Sequence, residues 1–388
     1  MTNGKMKDGI VQRGKTWAFV IRETDPTTGK SRPRWRGGYP TRAAAKRARD
    51  EARAAVHQGT YVSRQDITVG EWLDQWMGAH AVELKPSTAS TYRAKIDLYL
   101  KPTVGHERLQ SLSPSRLNGV FATMRAEGGR GSKNGRGGAP LSPRTVEFAR
   151  AVLRRSMNDA IVDRLIQVNP VVGTKRPRPE KAKHTTWTGA QLQRFLAAAS
   201  QDRLLPLWVL AAATGMRRGE LMGLRWEDVD LDAGVITVER STTQLGKELV
   251  TTTPKNHERR RVAIDSQTAT ALRAWRRTQA EDRMAVGAGW VDRVGALFTW
   301  QDGTPVQPDY VTKRFKAVQA VADLPRLTLH ELRHTHATIL LRDRVPVHIV
   351  AKRLGHRDPS VTLDVYADVI PDDDGTAVDV FSKAVWGA

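Results

Sequence analysis

The sequence predicts an α+β, multidomain, mainly helical protein: a small sheet backed by one helix at the N-terminus, a helical domain after it, and a mixed, mostly helical unit at the C-terminus. Three observations carry that prediction. The chain has 388 residues, more than one ordinary compact core holds, and 40% of them are hydrophobic, enough for folded domains. Apolar residues alternate with polar ones near the N-terminus, as in strands, and recur at helical spacing from residue 68 onwards. The change of rhythm near Thr68 and the break at Asn169-Pro170 divide the chain into residues 1–64, 65–170, a linker at 171–183, and 184–388.

Charge narrows the partners. A formal net charge of +21 and a pI near 10.5 exceed what solubility needs and point to a polyanion. Residues 1–64 carry fifteen Lys or Arg against five Asp or Glu, so nearly half of the surplus sits in a sixth of the chain. That concentration suggests a dedicated basic module rather than a generally solvated surface. The absence of cysteine excludes disulfides, thiolate catalysis and cysteine-based zinc or iron–sulfur sites. The most apolar stretch, Leu204 to Ala213, is too short to cross a bilayer, which takes about 20 residues, and the N-terminus has no apolar signal core. A soluble, cytoplasmic protein with no membrane partner is expected.

Trp17 to Arg22 alternates as a strand does, Asp25 to Gly29 reads as a turn, and Arg32 to Gly37 as a returning strand. Thr41 can cap a helix over Arg42 to His57 that bears Arg42, Lys46, Arg47, Arg49 and Arg53. Arg22, Arg34, Trp35 and Arg36 on the strands could enter a DNA major groove, or could coat phosphate without reading bases. The residues leave both open.

Thr68 to Glu71 fits a capping box, and Trp72, Leu73 and Trp76 give the next helix its apolar face. Ser87 to Leu100 reads as a second helix, with Tyr92, Ile96, Tyr99 and Leu100 on one side and Arg93 and Lys95 elsewhere. Ser113-Pro114 and Ser142-Pro143 each place a capping serine before a proline at the first helical position. After Ser142, Val146, Ala149, Leu153, Met157 and Ile161 form an apolar stripe, while Arg144, Arg150, Arg154 and Arg155 mark more polar sides. The glycine-rich run Gly128 to Gly138 lacks the Lys-Ser/Thr ending of a nucleotide-binding loop and reads as a cationic loop. Thr174 to Lys183, with five cations and two prolines, reads as an extended linker held across a duplex. Candidate DNA contacts are Arg93, Lys95, Arg144 and Arg154 in the helical domain and Lys175, Arg176 and Arg178 in the linker.

The last third holds an ordered set of cationic, imidazole and hydroxyl side chains: Arg217, Lys255, His330, Arg333, His356 and Tyr366. Two guanidinium groups can hold the non-bridging oxygens of a phosphate and neutralise the charge that builds as phosphorus becomes five-coordinate. Imidazoles and a lysine can move protons, and a phenol oxygen can attack. Arg217 and Glu220 lie three apart in Ala213 to Trp226, a stretch with helical rhythm, so Glu220 could hold Arg217 in its working rotamer; a surface ion pair is the blander reading. Val235 to Arg240, Leu249 to Thr253 and Arg260 to Ile264 read as three strands of one small sheet, with Lys255 at the tight connection Pro254 to Glu258. A lysine there can reach a leaving oxygen.

Thr328 and Glu331 make another capping box, followed by a helix on which His330 and Arg333 share a face and Leu329 and Leu332 turn inward. His330 to His334 also matches the H-E-x-x-H zinc motif, but no glutamate follows Glu331 to serve as a third ligand, and a protease has no use for the charge. No metal or other cofactor is expected. His356 sits at a turn before a helix that should contain Tyr366. A free tyrosine has a pKa of about 10, and two arginines with a general base would favour its phenolate.

Taken together, Thr214-Gly-Met-Arg217, Pro254-Lys255, His330-x-x-Arg333-His334, Leu354-Gly-His356 and Tyr366 resemble the tyrosine recombinase family, specifically the integrases of phages and conjugative elements, over residues 184 to 370. The resemblance implies that Arg217 and Arg333 clamp a scissile phosphate, His356 adds a hydrogen bond, Lys255 is the general acid for the 5′ oxygen, and His330 assists proton transfer at the tyrosine. It gives Glu220 a supporting role and makes Tyr366 the nucleophile of a 3′-phosphotyrosyl link. Residues 65–170 resemble the helical, SAM-like core-binding domain that closes a clamp on DNA, and residues 1–64 the three-stranded arm-binding domain. Implied partners are duplex attachment sites of core and arm type, three further copies in a homotetramer, an excisionase and a host DNA-bending protein. In relatives a tail like Val378, Val380, Phe381, Val385 and Trp386 docks on a neighbouring protomer, with intramolecular packing as the alternative. A topoisomerase of the same chemistry, or a DNA-binding regulator that retains the fold, are the rival functions. The separate basic module argues against the first and the intact nucleophile against the second.

Overall fold

The structure, a computed structural model, describes residues 8–24, 31–58, 61–128, 138–178, 185–253, 259–292, 294–356, 358–366 and 374–387. The chain divides into two compact units, residues 1–180 and 181–388.

The first unit begins with an antiparallel sheet, β1 (Ile10–Arg13), β2 (Thr16–Thr24) and β3 (Ser31–Tyr39), in the order β1-β2-β3. Alternation on β2 sends Phe19 and Ile21 inward, where they pack with Ile10 against Ala45 of α1 (Arg42–His57). Thr41 caps α1 by accepting from the Ala44 N–H, as its sequence position suggests. Arg49, one of the five cations read on this helix, is buried, with Nε and Nη2 donating to Asp50. The expected turn at Asp25 to Gly29 lies outside the described residues.

The helices α2 (Val69–His80), α3 (Pro86–Lys95), α4 (Lys101–Val104), α5 (Pro114–Glu127) and α6 (Pro143–Val162) enclose a separate apolar cluster containing Trp72, Trp76, Ile96, Leu100, Phe121 and Leu153. The Thr68–Glu71 box closes with both bonds present, and Ser113 and Ser142 cap α5 and α6. Trp72 and Trp76 donate their indole N–H groups to the Ser156 carbonyl and the Asp159 carboxylate, tying α2 to α6.

Three details differ from the sequence expectation. The helix expected to run without interruption to Leu100 passes through a π turn at Ile96–Leu100. Pro102, which has no N–H to return to Leu98 and crowds that carbonyl, accounts for the widened turn. Ile161 is 36% exposed while Ala160 is buried, because the chain reverses directly after α6 through Arg164 at φ 56°. Arg150 is buried, donating to Thr174 and to the Val171 carbonyl. The start of the expected linker is therefore anchored: Thr174 is buried, the Lys175 N–H donates to Asn118, and Arg176 donates to Glu147. Residues 179–184 lie outside the described residues.

The second unit contains α7 (Gly189–Ala198), α8 (Leu205–Thr214), α9 (Arg218–Gly223), β4 (Val229–Asp230), β5 (Val235–Val238), β6 (Ser241–Leu245), β7 (Glu248–Thr252), β8 (Arg260–Ala263), α10 (Ser266–Val286), α11 (Pro308–Val321), α12 (Leu329–Arg342), α13 (Val347–Leu354), α14 (Pro359–Tyr366) and α15 (Asp374–Trp386). Its core gathers Trp187, Phe195, Trp208 and Phe315, whose ring centroids lie 5.1–6.1 Å apart. Each such buried side chain contributes about 1.5–3 kcal/mol over its exposed state. A smaller cluster, Ala337, Leu341, Val350, Leu354 and Tyr366, joins α12, α13 and α14.

The strands form two sheets rather than one. β4, β5 and β8 make a three-stranded sheet, whereas Leu249 to Thr252, expected in that sheet, pair with β6 in a separate hairpin. The turn Gly246, at φ 62°, makes the local β6–β7 pairing available, and apolar alternation alone does not choose between partners.

Candidate active site

Arg217 lies between two helices, not within one. α8 ends when Gly215 adopts φ 61°, and a Cβ there would lie 2.8 Å from the His336 ring and 2.9 Å from Leu354. The reversal leaves Arg217 in extended backbone as the N-cap of α9, where its N–H donates to Glu220 Oε2 at 3.0 Å and its guanidinium to Oε1 at 2.8 Å. Glu220, 1% exposed, also takes both Nη atoms of Arg260 on β8, at 3.1 and 2.6 Å. Burial would raise this carboxyl; the bonds and charge of Arg260, then Arg217, outweigh it and hold the pKa at about 2. The pair is no surface bridge.

The second arginine enters from α12, which starts at the Thr328–Glu331 box. Arg333 is buried and donates to the Gly215 carbonyl at 2.9 Å and the Leu354 carbonyl at 2.7 Å. Those acceptors stand two residues before Arg217 and two before His356, so one guanidinium registers both chain segments. Burial, and next the charge of Arg217, pull its pKa down to about 9, which leaves it a cation at neutral pH.

His356 follows Gly355, which closes α13 at φ 71°, and its Nδ1 lies 2.8 Å from the Thr362 hydroxyl on α14. Burial and the nearby charges of Arg333, Arg217, Arg260 and His330 push it down to about 4, so the ring is neutral and keeps one N–H to donate.

Tyr366 ends α14, as its sequence position suggests, but its state differs from expectation. It is 2% exposed, and its hydroxyl lies 2.5 Å from Nδ1 of His334. Burial pushes the phenol up to about 12, with Arg333 opposing only in part. Desolvation thus outweighs the cations that were expected to favour the phenolate, and the free protein holds a protonated phenol. His330, on the exposed side of α12, meets the His334 ring edge-on at 5.2 Å. Lys255 lies outside the described residues.

Sequence reasoning missed three residues. Arg260 sits at the start of a strand and gives no local sign of its partner. His334 stood in the His330-x-x-Arg333-His334 motif without a role, and its contact with Tyr366 arises only where α12 packs on α14. His336 links α12 to α8 and α13: it meets the Ala212 carbonyl through Nδ1 at 2.9 Å and accepts from Arg353 through Nε2 at 3.2 Å. Burial and the Arg353 charge push it down to about 4.

In the first unit, Arg22, Arg34 and Trp35 are exposed on β2 and β3, and Trp35, 43% exposed, has the Arg13 guanidinium 4.4 Å from its ring centroid. Arg36 turns to Tyr61, donating to its hydroxyl at 2.7 Å. Arg93 donates to Asp74, and Lys95 lies over the Tyr99 ring. Arg144, Arg154, Lys175, Arg176 and Arg178 are exposed. On α15, Val378, Val380, Phe381, Val385 and Trp386 are exposed rather than packed.

The phage integrase family profile matches residues 186–372, the span that runs from before Arg217 to beyond Tyr366 and ends short of α15. The second unit belongs to the phage integrase family. The chain is 26% identical to a tyrosine recombinase XerC-like protein of Caldanaerobacter subterraneus subsp. tengcongensis, covering 88% of this chain and 90% of that one. It is 24% identical to the ICEBs1 integrase of Bacillus subtilis, covering 96% of both. Among solved structures, the Tn1549 transposon integrase in complex with circular intermediate DNA matches with a TM-score of 0.63 and 19% identity, over 81% of this chain and 99% of that one. A lambda integrase tetramer bound to a Holliday junction matches with a TM-score of 0.55 and 17% identity, over 94% of this chain and 96% of that one. These likenesses establish the integrase fold. Both comparisons extend beyond the family domain into the first unit.

Proposed function

We propose that this protein is a site-specific integrase that cleaves and rejoins duplex DNA through Tyr366, inserting and excising a phage or other mobile element. The observation that carries this reading is Arg333, whose two carbonyl bonds register Arg217 and His356 beside the tyrosine within an integrase-family unit.

In the forward step the Tyr366 oxygen attacks the scissile phosphorus, a 3′-phosphotyrosyl bond forms, and the bond to the 5′ oxygen breaks. The phenol proton passes to an imidazole, with His330 in that role by resemblance and His334 already in contact. Lys255 gives its proton to the leaving 5′ oxygen. Arg217 and Arg333 neutralise the five-coordinate phosphorane, and neutral His356 donates one further bond. The phosphotyrosyl ester conserves the broken bond, so the reaction reverses without ATP, and the guanidinium pair supplies the charge that a metal would otherwise bring. The 1–64 module binds arm sites, residues 65–170 bind the core site, and four copies act on two duplexes, with an excisionase and a host bending protein setting direction.

The test is denaturing electrophoresis in EDTA of the full chain with nicked duplexes whose sequence the wild type has selected from a randomised pool. Wild type is expected to form a slow-migrating covalent adduct and Tyr366→Phe none. An adduct formed by Tyr366→Phe, or tight binding without any adduct by wild type, overturns the reading.

A further inference from the structure

Resting on that reading, we propose that Arg260 is a positioning residue for strand cleavage: it orients Glu220 under Arg217 and at the same time fixes the turn that presents His356, so that two phosphate ligands from distant segments share one carboxylate as their reference point. Its fork grips both oxygens of Glu220, at 3.1 and 2.6 Å, while Glu220 receives the Arg217 backbone and side chain on those same oxygens. Its third nitrogen, Nε, donates to the Arg353 carbonyl at 3.2 Å. Gly355, next to His356, lies close against the Arg260 side chain: a Cβ there would lie 2.9 Å from Nη1 and 3.0 Å from Cζ.

The geometry suits arginine alone. A lysine offers one compact charge and cannot span two carboxylate oxygens and a carbonyl in one plane. A neutral side chain would leave Glu220 facing Arg217 at its own helix start and Arg333 from α12, with burial no longer offset to the same degree. Protonation of Glu220 would then release Arg217. Misplacing a phosphate ligand by about 1 Å can cost about a hundredfold in rate. An ion pair that served only the fold would lower stability and leave cleavage by folded molecules unchanged.

The experiment measures single-turnover adduct formation against pH on the pool-selected nicked duplex, with duplex affinity and thermal unfolding measured in parallel. Arg260→Met is expected to bind the duplex as wild type does and to cleave about a hundredfold more slowly at neutral pH. It should also gain an acid limb: cleavage falls as pH drops and Glu220 protonates. Loss of Arg260 also relieves His356 of one neighbouring cation, so Glu220→Gln is added to Arg260→Met, and the acid limb should vanish. A limb that persists in the double variant assigns the effect to His356 and removes the proposed role. If Arg260→Met does not fold, Arg260→Lys decides: wild-type rate and pH profile in that folded variant overturn the proposal, and partial recovery with slowed cleavage supports it. Wild-type adduct formation on the same duplex is required throughout, and its absence would refute the integrase reading rather than the role of Arg260.

Discussion

The hydroxyl of Tyr366 and Nδ1 of His334 lie 2.5 Å apart inside the apolar cluster that joins α12, α13 and α14. The proposed nucleophile is therefore stored as a hydrogen-bonded, desolvated phenol. Removing its partner while keeping the cavity should leave a buried hydroxyl unsatisfied, at a cost of about 1–3 kcal/mol. His334→Ala is expected to show that loss in the urea midpoint, and an unchanged midpoint would mean the contact contributes nothing to the fold.

The same bond makes a prediction in alkali. The folded phenol is pushed up to about 12, above the value near 10 of an unfolded tyrosine. Its stabilisation is complete below the unfolded value and is lost as pH rises through the folded one. Wild type should thus lose stability between about pH 10 and 12 more steeply than Tyr366→Phe. Parallel curves for the two proteins would contradict the burial argument.

Glu220 works in the opposite direction. Its folded pKa of about 2 lies below the unfolded value of 4.5, so its contribution is present above the unfolded value and is lost as pH falls through the folded one. Chemical denaturation should show wild type weakening through this acid window and Glu220→Gln lacking that part of the slope. At neutral pH, breaking such a buried pair should cost Glu220→Gln about 3–5 kcal/mol.

Lys255 is testable by chemistry alone. Lys255→Ala should cleave slowly, and a substrate whose leaving 5′ oxygen is replaced by sulfur should restore much of the rate, because a thiolate needs little acid help. Absence of rescue would take Lys255 out of the general-acid role.

Deleting residues 1–64 separates two accounts of the basic module. Retained binding to a core site with loss of high-affinity binding to distal sites is the expected result. A uniform loss across all duplexes, steepening with salt, would make the module an electrostatic coat.

Local signals in the sequence proved good guides to helix starts, since a capping serine or threonine needs only the next three residues; Thr41, Thr68, Ser113, Ser142 and Thr328 all cap. Strand pairing was harder to read, because alternation on Leu249 to Thr253 marks a strand without naming its neighbour. Arg217 and Glu220 were correctly paired, yet the pair was placed within a helix; the left-handed Gly215 puts Arg217 at the helix start instead.

The sequence by itself determined the inventory of the site: two arginines, the histidines and a tyrosine in a fixed order, on a chain whose charge calls for a polyanion. Only the tertiary structure decided what those groups share and in which protonation state they wait. Glu220 meets Arg260 forty residues later, and Tyr366 meets His334 from another helix. Charge and desolvation act through space, so a pKa pushed to about 12 or held at about 2 belongs to the packed neighbourhood rather than to the order of residues along the chain.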